Sequence, residues 1–384
     1  LEWQRSVVQI HTIFGGKNPH PNFLVGGMPS PISNDPSSAT GGSAATATNI
    51  VTLGQVRDII KRMRQFVDQV YVPDTLAIAG FYKDWFGRGE GLGNFLTFGE
   101  FPAAGTGDLL VPAGAILDRD LSTIHEVDLY DTQQVQEFVS HSWYDYQGGK
   151  DKGLHPHDGE TTLNYTGPKP PYDHLDVENS YSWLKAPRWK GHAMEVGPLA
   201  RVLMLYASGH EPTQELANMA LGTLDAPIDA LFSTLGRTAA RTLETKIIAD
   251  QMETWLDDLM GNIKTGNLDV HNEEKWNPST WPKESKGVGF MEAPRGGLAH
   301  YIVIKDGKID NYQAVVPSTW NAGPRDPSGQ PGAYEAALMD NHQLAIEDQP
   351  LEIQRTIHSF DPCIACAVHV NDPDGEELVQ VKVS

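Results

Sequence analysis

The sequence is poor in cysteine, in positive charge and in long apolar runs. Only two of its 384 residues are cysteine, and 29 Lys and Arg stand against 50 Asp and Glu, which gives a net charge of −21. Two thiols cannot form a disulfide framework, and so acidic a chain disfavours binding to nucleic acid or to anionic lipid. No run approaches the roughly 20 apolar residues of a membrane helix. An apolar content of 40% is nevertheless enough for a large core.

The spacing of apolar residues predicts mostly helices. Residues 56–70 repeat at helical intervals after a capping-box pattern at Thr52, and Pro73 is expected to end that helix. The longest apolar stripe covers 228–260, with Gly261 as the expected C-cap. Weaker signals predict helices at 1–11, 193–206 and 333–344, a hairpin of 300–304 and 308–316 about Asp306-Gly307, and a strand at 378–383. We therefore predict a mainly α chain with small β elements, an α+β fold.

The sequence opens inside a helical pattern. The first residue is Leu1, and no N-cap residue precedes the apolar spacing that it begins. We therefore expect the sequence to be part of a longer protein, in which case the absence of a secretory signal carries little meaning.

The two cysteines, Cys363 and Cys366, lie three residues apart, and His369 follows them. Two thiols on a tight turn can face one metal, and soft thiolates favour nickel, iron, copper(I) or zinc. Three alternatives remain on local spacing alone. The cysteines could be buried structural residues, a redox dithiol, although no βαβ pattern surrounds them, or half of a zinc site completed by His or carboxylate.

The remaining histidines carry weaker signals. His155 and His157 lie in a segment rich in Gly, Pro and Asp, which predicts an exposed loop and only weakly a metal site. We interpret four others as hydrogen-bonding residues of the core or of an interface: His11, His20, His192 and His300. The Trp and Tyr residues between 71 and 190 are interpreted as packing or partner surface.

The segment Asp-Pro-Cys-Ile-Ala-Cys-Ala-Val-His at 361–369 resembles the second metal-binding motif of the large subunit of nickel–iron hydrogenases. Similar family motifs occur in the family's order at 15–29, 183–188, 195–201, 292–296 and 316–321. The resemblance covers nearly the whole sequence and is closest to the membrane-associated uptake hydrogenases. It implies the helical core of that large subunit and the heterolytic oxidation of dihydrogen to protons and electrons at a nickel–iron centre.

The resemblance assigns the metal ligands. Cys363 would be a terminal thiolate on nickel, and Cys366 would bridge nickel to an iron that carries cyanide and carbonyl ligands. His369 would close the mature chain and help to hold a magnesium or iron ion; a simple hydrogen bond is its alternative. The metal-binding residues are thus expected to be Cys363, Cys366 and His369.

The same resemblance assigns four residues around the metals. Arg295 would lie over the open metal position, where a permanently charged guanidinium can polarise dihydrogen or donate to a cyanide. Asp361 would pair with Arg295 and orient it, Pro294 would pack beside the diatomic ligands, and Ser318 would donate its hydroxyl to a cyanide. Local alternatives are a structural salt bridge for Arg295, a turn-forming Ser318 and an Asx-turn at Asp361.

The sequence departs from the family pattern at both ends. The family's earlier Arg-x-Cys-Gly-x-Cys motif is absent, so this chain carries half of the thiolates and is expected to be inactive alone. Residues 1–369 would form the catalytic region, N-terminally incomplete. Residues 370–384 would be a C-terminal extension that a maturation endopeptidase removes. We expect this extension, while present, to hold the cysteines away from their final position.

The resemblance also implies partners. Electrons would leave through an iron–sulfur small subunit, since the two cysteines of this chain cannot hold iron–sulfur clusters. The small subunit would pass them to a membrane cytochrome b or quinone pathway. The location would be the periplasmic side of the cell membrane, after co-export with the small subunit. Three other functions remain open: a metal-free structural relative like the hydrogenase-related subunit of respiratory complex I, a hydrogen sensor, and an unrelated zinc module.

Overall fold

The chain forms two compact units. A computed structural model describes residues 2–19, 32–33, 48–103, 107–168, 176, 178–269, 277–339, 344–346, 349–363, 367–371 and 377–382. The smaller unit comprises Leu1–Thr75, Ala104–Gly107 and Glu244–Trp281. The larger unit comprises Leu76–Ala103, Asp108–Leu243 and Pro282–Ser384.

The regular elements of the described residues are helices and short antiparallel sheets, which confirms the predicted α+β class. The helices are α1 (Glu2–Val7), α2 (Gln9–Gly15), α3 (Ile50–Phe66), α4 (Val72–Ala79), α5 (Pro198–Ala207), α6 (Glu211–Leu224), α7 (Thr234–Lys264), α8 (Pro317–Ala322), α9 (Ala333–Met339) and α10 (Leu351–Ser359). None of these described helices has the length and hydropathy to cross a membrane.

The strands pair into four two-stranded sheets and one three-stranded sheet within the described residues. They are β1 (Phe95–Pro102), β2 (Leu109–Ile116), β3 (Val135–Phe138), β4 (Tyr144–Tyr146), β5 (Thr161–Leu163), β6 (Ala186–Trp189), β7 (Glu284–Ala293), β8 (Gly296–Lys305), β9 (Lys308–Val315), β10 (Ala367–Asn371) and β11 (Glu377–Lys382). The pairs are β1–β2, β3–β6, β4–β5, β7–β8–β9 and β10–β11, all antiparallel. The predicted hairpin is β8–β9, whose turn places Asp306 and Gly307 at φ +49° and +73°, as a two-residue turn requires.

Two predictions about helix ends in the smaller unit are wrong. The capping box forms at Asn49, whose side chain accepts from the amides of Val51 and Thr52, so Thr52 is the third helical residue. Pro73 does not end the helix. A π-turn at Val67–Tyr71 precedes it, and this wider turn accommodates a ring that would clash with the carbonyls of a regular helix.

The predicted C-cap of α7 is also wrong. The helix passes through Gly261 and ends at Lys264. The left-handed residue that follows the helix is Gly266, at φ +84°. A glycine inside a helix costs only about 1 kcal/mol relative to alanine, so Gly261 by itself does not stop the chain.

The core of the larger unit lies around α5. This helix is buried from Pro198 to Leu205, and it packs against buried side chains of β1 and β2 such as Phe95 and Ile116. The helix predicted over 193–206 begins late, because Glu195 instead bonds to the backbone of β1. The helix is therefore buried along most of its length, and its N-cap, Gly197, lies against the backbone of Arg295 in the turn between β7 and β8.

His155 and His157 are buried, with 3% and 7% exposure, so their predicted exposure is wrong. The polar composition of this segment predicted exposure, but backbone groups provide hydrogen-bond partners for both rings inside the protein. Nε2 of His155 bonds to the carbonyl of Leu129, and Nε2 of His157 bonds to the carbonyl of Gly287. Nδ1 of His155 accepts from the amide of His157 at 3.2 Å. The neutral imidazole with its proton on Nε2 therefore fits both neighbours of His155.

This burial predicts an acid-sensitive fold. Desolvation lowers the pKa of His155 below its usual 6.5, so its contribution to stability is complete above about pH 6.5 and is lost as the pH falls through the folded-state pKa. We expect the thermal midpoint to fall between pH 7 and pH 5, and to fall less in His155→Asn. The exposed His358→Asn serves as the matched control. An equal pH response of the parent and both variants would contradict the prediction.

Candidate metal centre

Three segments of the larger unit meet where the family motifs predicted a site. Arg295 lies in the tight turn between β7 and β8. Ser318 lies in the first turn of α8, behind Pro317, a position that suits proline. Asp361 and Cys363 follow the end of α10. Hydrogen bonds and an ion pair join these segments although they lie far apart in the sequence.

Arg295 and Asp361 are joined by two contacts. Nε of Arg295 donates to the carbonyl oxygen of Asp361 at 2.7 Å, and Nη2 lies 3.2 Å from carboxylate oxygen Oδ1. Asp361 adopts φ +57° at the position just past a helix end that usually takes glycine or asparagine. This conformation presents its carbonyl and carboxylate together to one guanidinium. Both side chains keep about two fifths of their surface exposed.

Cys363 lies beside Ser318. The amide of Cys363 donates to Oγ of Ser318 at 3.3 Å; Ser318 is buried, whereas the thiol-bearing residue is exposed. Because Oγ accepts this bond, the Ser318 hydroxyl proton remains able to donate elsewhere. Pro294 is exposed next to Arg295. The structure thus brings together Pro294, Arg295, Ser318 and the start of the Asp-Pro-Cys motif.

For the other two predicted metal ligands, Cys366 and His369, the structure describes only the backbone of His369. Cys366 lies outside the described residues. The backbone of His369 lies in β10, opposite Gln380 of β11, and the strand predicted at 378–383 is β11. The roles of these residues and a domain boundary after His369 stay predictions. The motif at 15–29 also lies mostly outside the described residues.

Two buried features beside the site were missed by sequence reasoning. Glu195 and Arg237 form a paired contact of 2.7 and 2.8 Å, and the Arg237 guanidinium lies 3.9 Å from the centre of the Phe360 ring. Tyr334 packs on Phe360 with ring centres 4.8 Å apart. Burial raises the pKa of the Tyr334 phenol, and the charges of Cys363 and Asp361 raise it further. Of these four residues, only Glu195 lies in one of the motifs noted in the sequence.

A second buried ion pair lies under the β7–β8 turn. Nη1 of Arg201 is 2.8 Å from Oε2 of Glu292, and both residues are almost fully buried. Both belong to motifs noted in the sequence, but no pattern indicated that they pair. This ion pair fixes the end of β7 against α5.

The donor chemistry fits a soft metal in part. No group of three or more His, Cys, Asp or Glu side chains is placed to hold a metal among the side chains that the structure describes, and that description omits Cys366. The one thiol described, Cys363, is exposed and flanked by a hydroxyl and a guanidinium–carboxylate pair. A thiolate suits nickel or iron better than a hard cation.

The chain belongs to the nickel-dependent hydrogenase family, whose model matches residues 1–369. Among curated proteins it is 52% identical to the uptake hydrogenase large subunit of Bradyrhizobium diazoefficiens, over the whole chain and 65% of that protein. It is 50% identical to the hydrogenase-1 large chain of Escherichia coli K12, again over the whole chain and 65% of that protein. The chain thus spans about two thirds of the length of these relatives.

Solved structures agree with the assignment. The reduced, active Ni-Fe-Se hydrogenase of Desulfomicrobium baculatum matches 95% of this chain and 67% of its own, with a TM-score of 0.73 at 31% identity. The reduced Ni-Fe-Se hydrogenase of Desulfovibrio vulgaris Hildenborough matches 95% of this chain and 68% of its own, with a TM-score of 0.71 at 30% identity. The predicted family and fold are thereby confirmed.

Proposed function

We propose that the complete protein is the large subunit of an uptake hydrogenase, which splits dihydrogen heterolytically and passes the electrons to an iron–sulfur small subunit. The observation that carries the proposal is the meeting of Cys363, Ser318 and the Arg295–Asp361 pair in a chain of the nickel-dependent hydrogenase family. Thiolate, hydroxyl donor and fixed cation together suit a soft metal with an anionic environment.

Cys363 and Cys366 would hold the nickel and the iron through their sulfur atoms, since soft thiolates suit both metals. When bound, the nickel–iron pair supplies a soft Lewis-acid position at which dihydrogen is polarised and its electrons are accepted. The iron would carry cyanide and carbonyl ligands, and His369 would help to hold a magnesium or iron ion.

The chain's own residues would orient the substrate and handle the proton. Arg295, held by Asp361 at two points, would present its remaining N–H groups in a fixed direction. The base that accepts the proton would be a metal-bound cysteine thiolate, or Arg295 through its pair with Asp361. Ser318 would donate its hydroxyl to a cyanide, and Pro294 would pack beside the diatomic ligands.

Maturation and location complete the proposal. Residues 370–384 would be removed by a dedicated endopeptidase after His369, which requires opening the β10–β11 pair. The mature subunit would lie with its small subunit on the periplasmic side of the cell membrane and feed a cytochrome b or quinone pathway. Equal metal content and activity in a protein with an uncleavable tail would contradict this part.

Metal analysis with hydrogen-dependent dye reduction tests the function. We expect nickel, iron and activity in the complete gene product purified with its small subunit, and neither metal centre nor activity in the 384-residue chain alone. Absence of both metals from the matured complete protein would favour the structural relative, zinc without nickel would favour a zinc module, and both metals with only trace turnover would favour a sensor.

A further inference from the structure

We propose that Arg201 is a positioning residue, which fixes the backbone that carries Arg295 and so sets where the Arg295 guanidinium lies during the reaction. The inference rests on the proposed function, because that function gives Arg295 its role. Arg201 itself lies beneath the turn, and its contacts described below are with Glu292 and the backbone before Arg295.

The contacts of Arg201 run along the backbone that leads into Arg295. Its Nη1 donates to the carbonyl oxygen of Ala293 at 2.9 Å, and its Nη2 donates to the carbonyl oxygen of Pro294 at 2.8 Å. Nη1 also contacts the carboxylate of Glu292 at 2.8 Å. One planar guanidinium therefore holds three consecutive residues immediately before Arg295.

Burial makes this hold a strong one. Arg201 is 2% exposed and Glu292 is 4% exposed, so water cannot replace a contact that is lost, and an unpaired buried charge is costly. The second oxygen of Glu292 accepts from the amide of Phe98 at 2.6 Å. The carboxylate thus ties the guanidinium to β1 as well as to the end of β7.

The helix that presents Arg201 is itself fixed against the turn. Gly197 is the N-cap of α5 at φ +131°, and a Cβ there would lie 3.0 Å from the carbonyl oxygen of Arg295. The side chain of Asn321 bonds to both the amide and the carbonyl of Val196. The turn therefore contacts the start of α5 directly and Arg201 one turn later.

Lysine cannot reproduce this geometry. An ammonium could still pair with Glu292, but it is a point charge and lacks the planar fork that reaches two carbonyls at once. Arg201→Lys should thus keep the buried charge balanced and loosen the Ala293–Pro294 backbone. Because small misplacements of catalytic groups are costly, we expect kcat per bound nickel to fall about tenfold.

The test uses the complete, metal-loaded enzyme with its small subunit and three variants: Arg201→Lys, Arg295→Lys and the double variant. We expect Arg201→Lys to raise amide hydrogen exchange in the peptide that spans 290–300 and to retain nickel. Since Arg201 acts through Arg295, the double variant should lose no more kcat per nickel than Arg295→Lys alone.

Arg188→Lys is the matched control. Arg188 is equally buried, pairs with Asp326 at 2.9 Å and donates to the carbonyl oxygens of Pro324 and Gln330. Its replacement should lower the thermal midpoint comparably and leave both kcat per nickel and exchange over 290–300 unchanged. Equal losses in Arg188→Lys and Arg201→Lys would reduce Arg201 to a structural residue.

Unchanged kcat per nickel in Arg201→Lys, or losses that multiply in the double variant, would overturn the inference. If the parent enzyme lacks nickel or turnover, the proposed function has failed instead, and exchange over 290–300 still reports whether Arg201 holds the turn. If Arg201→Lys does not fold, Glu292→Gln replaces it: faster exchange with lower kcat per nickel supports the inference, and parental values of both overturn it.

Discussion

Replacing Cys363 by serine is expected to remove nickel from the matured protein and to abolish hydrogen-dependent dye reduction. A serine hydroxyl stays protonated at neutral pH and is a hard oxygen donor, so it cannot take the place of a soft thiolate on nickel. The fold should survive, since Cys363 is exposed and exposed substitutions usually shift stability by less than about 0.5 kcal/mol. Metal analysis, dye reduction and thermal unfolding of the complete protein measure these three outcomes.

Met339→Ser is the matched control for the loss of a sulfur. Met339 is 72% exposed at the end of α9, and its replacement should leave nickel, iron and activity at parental levels. Parental nickel content in Cys363→Ser would contradict the role of Cys363 as a ligand. Loss of nickel in both variants would indicate a maturation defect unrelated to the thiol.

The sequence predicted which residues form the candidate site better than it predicted the contacts that hold them. The resemblance to the nickel–iron hydrogenase large subunit implied that Arg295, Ser318 and the cysteine segment belong to one site, and the structure brings the described ones together. The sequence could not indicate how they are held. That depends on the left-handed backbone of Asp361 and on the packing of Tyr334 against Phe360, and no sequence pattern singled out Tyr334.

The buried ion pairs were beyond sequence reasoning for a physical reason. Glu195 pairs with Arg237, 42 residues away, and Arg201 pairs with Glu292, 91 residues away. Local periodicity reports which face of a helix is apolar, but it does not report which distant charge meets a buried one. Each pair compensates a charge that would otherwise be too costly to bury.

The wrong predictions for His155, His157 and Pro73 have a different cause. In each case the local composition indicated one structure, and specific contacts or backbone geometry produced another. The loop with His155 and His157 is polar in sequence, yet backbone carbonyls satisfy both rings inside the protein. Pro73 carries a strong stop signal, yet the π-turn before it allows the helix to continue. By contrast, the β8–β9 turn was predictable because its Asp-Gly pair fits one backbone geometry.

Arg295→Lys should leave the metals in place and slow turnover severely. Lysine keeps the positive charge but cannot reach the carbonyl and the carboxylate of Asp361 together, as Nε and Nη2 of Arg295 do. The cation would then sample several positions over the reacting site. Loss of one preorganised donor typically costs about 10²- to 10³-fold in kcat, and we expect a loss of that order with nickel content and thermal midpoint near parental values.

Arg119→Lys provides the matched control for this change. Arg119 forms a similarly exposed pair with Glu90 at 2.7 Å, so the same substitution removes a comparable guanidinium–carboxylate contact outside the candidate site. It should leave kcat unchanged, because the Arg119–Glu90 pair lies outside the candidate site. It should also leave the thermal midpoint nearly unchanged, because partly exposed ion pairs contribute little to stability. Equal turnover of Arg295→Lys and Arg119→Lys would reduce the Arg295–Asp361 pair to a surface salt bridge, which is the local alternative that the sequence left open. A selective loss in Arg295→Lys, with the metals retained, would instead mean that the direction of the guanidinium matters as much as its charge.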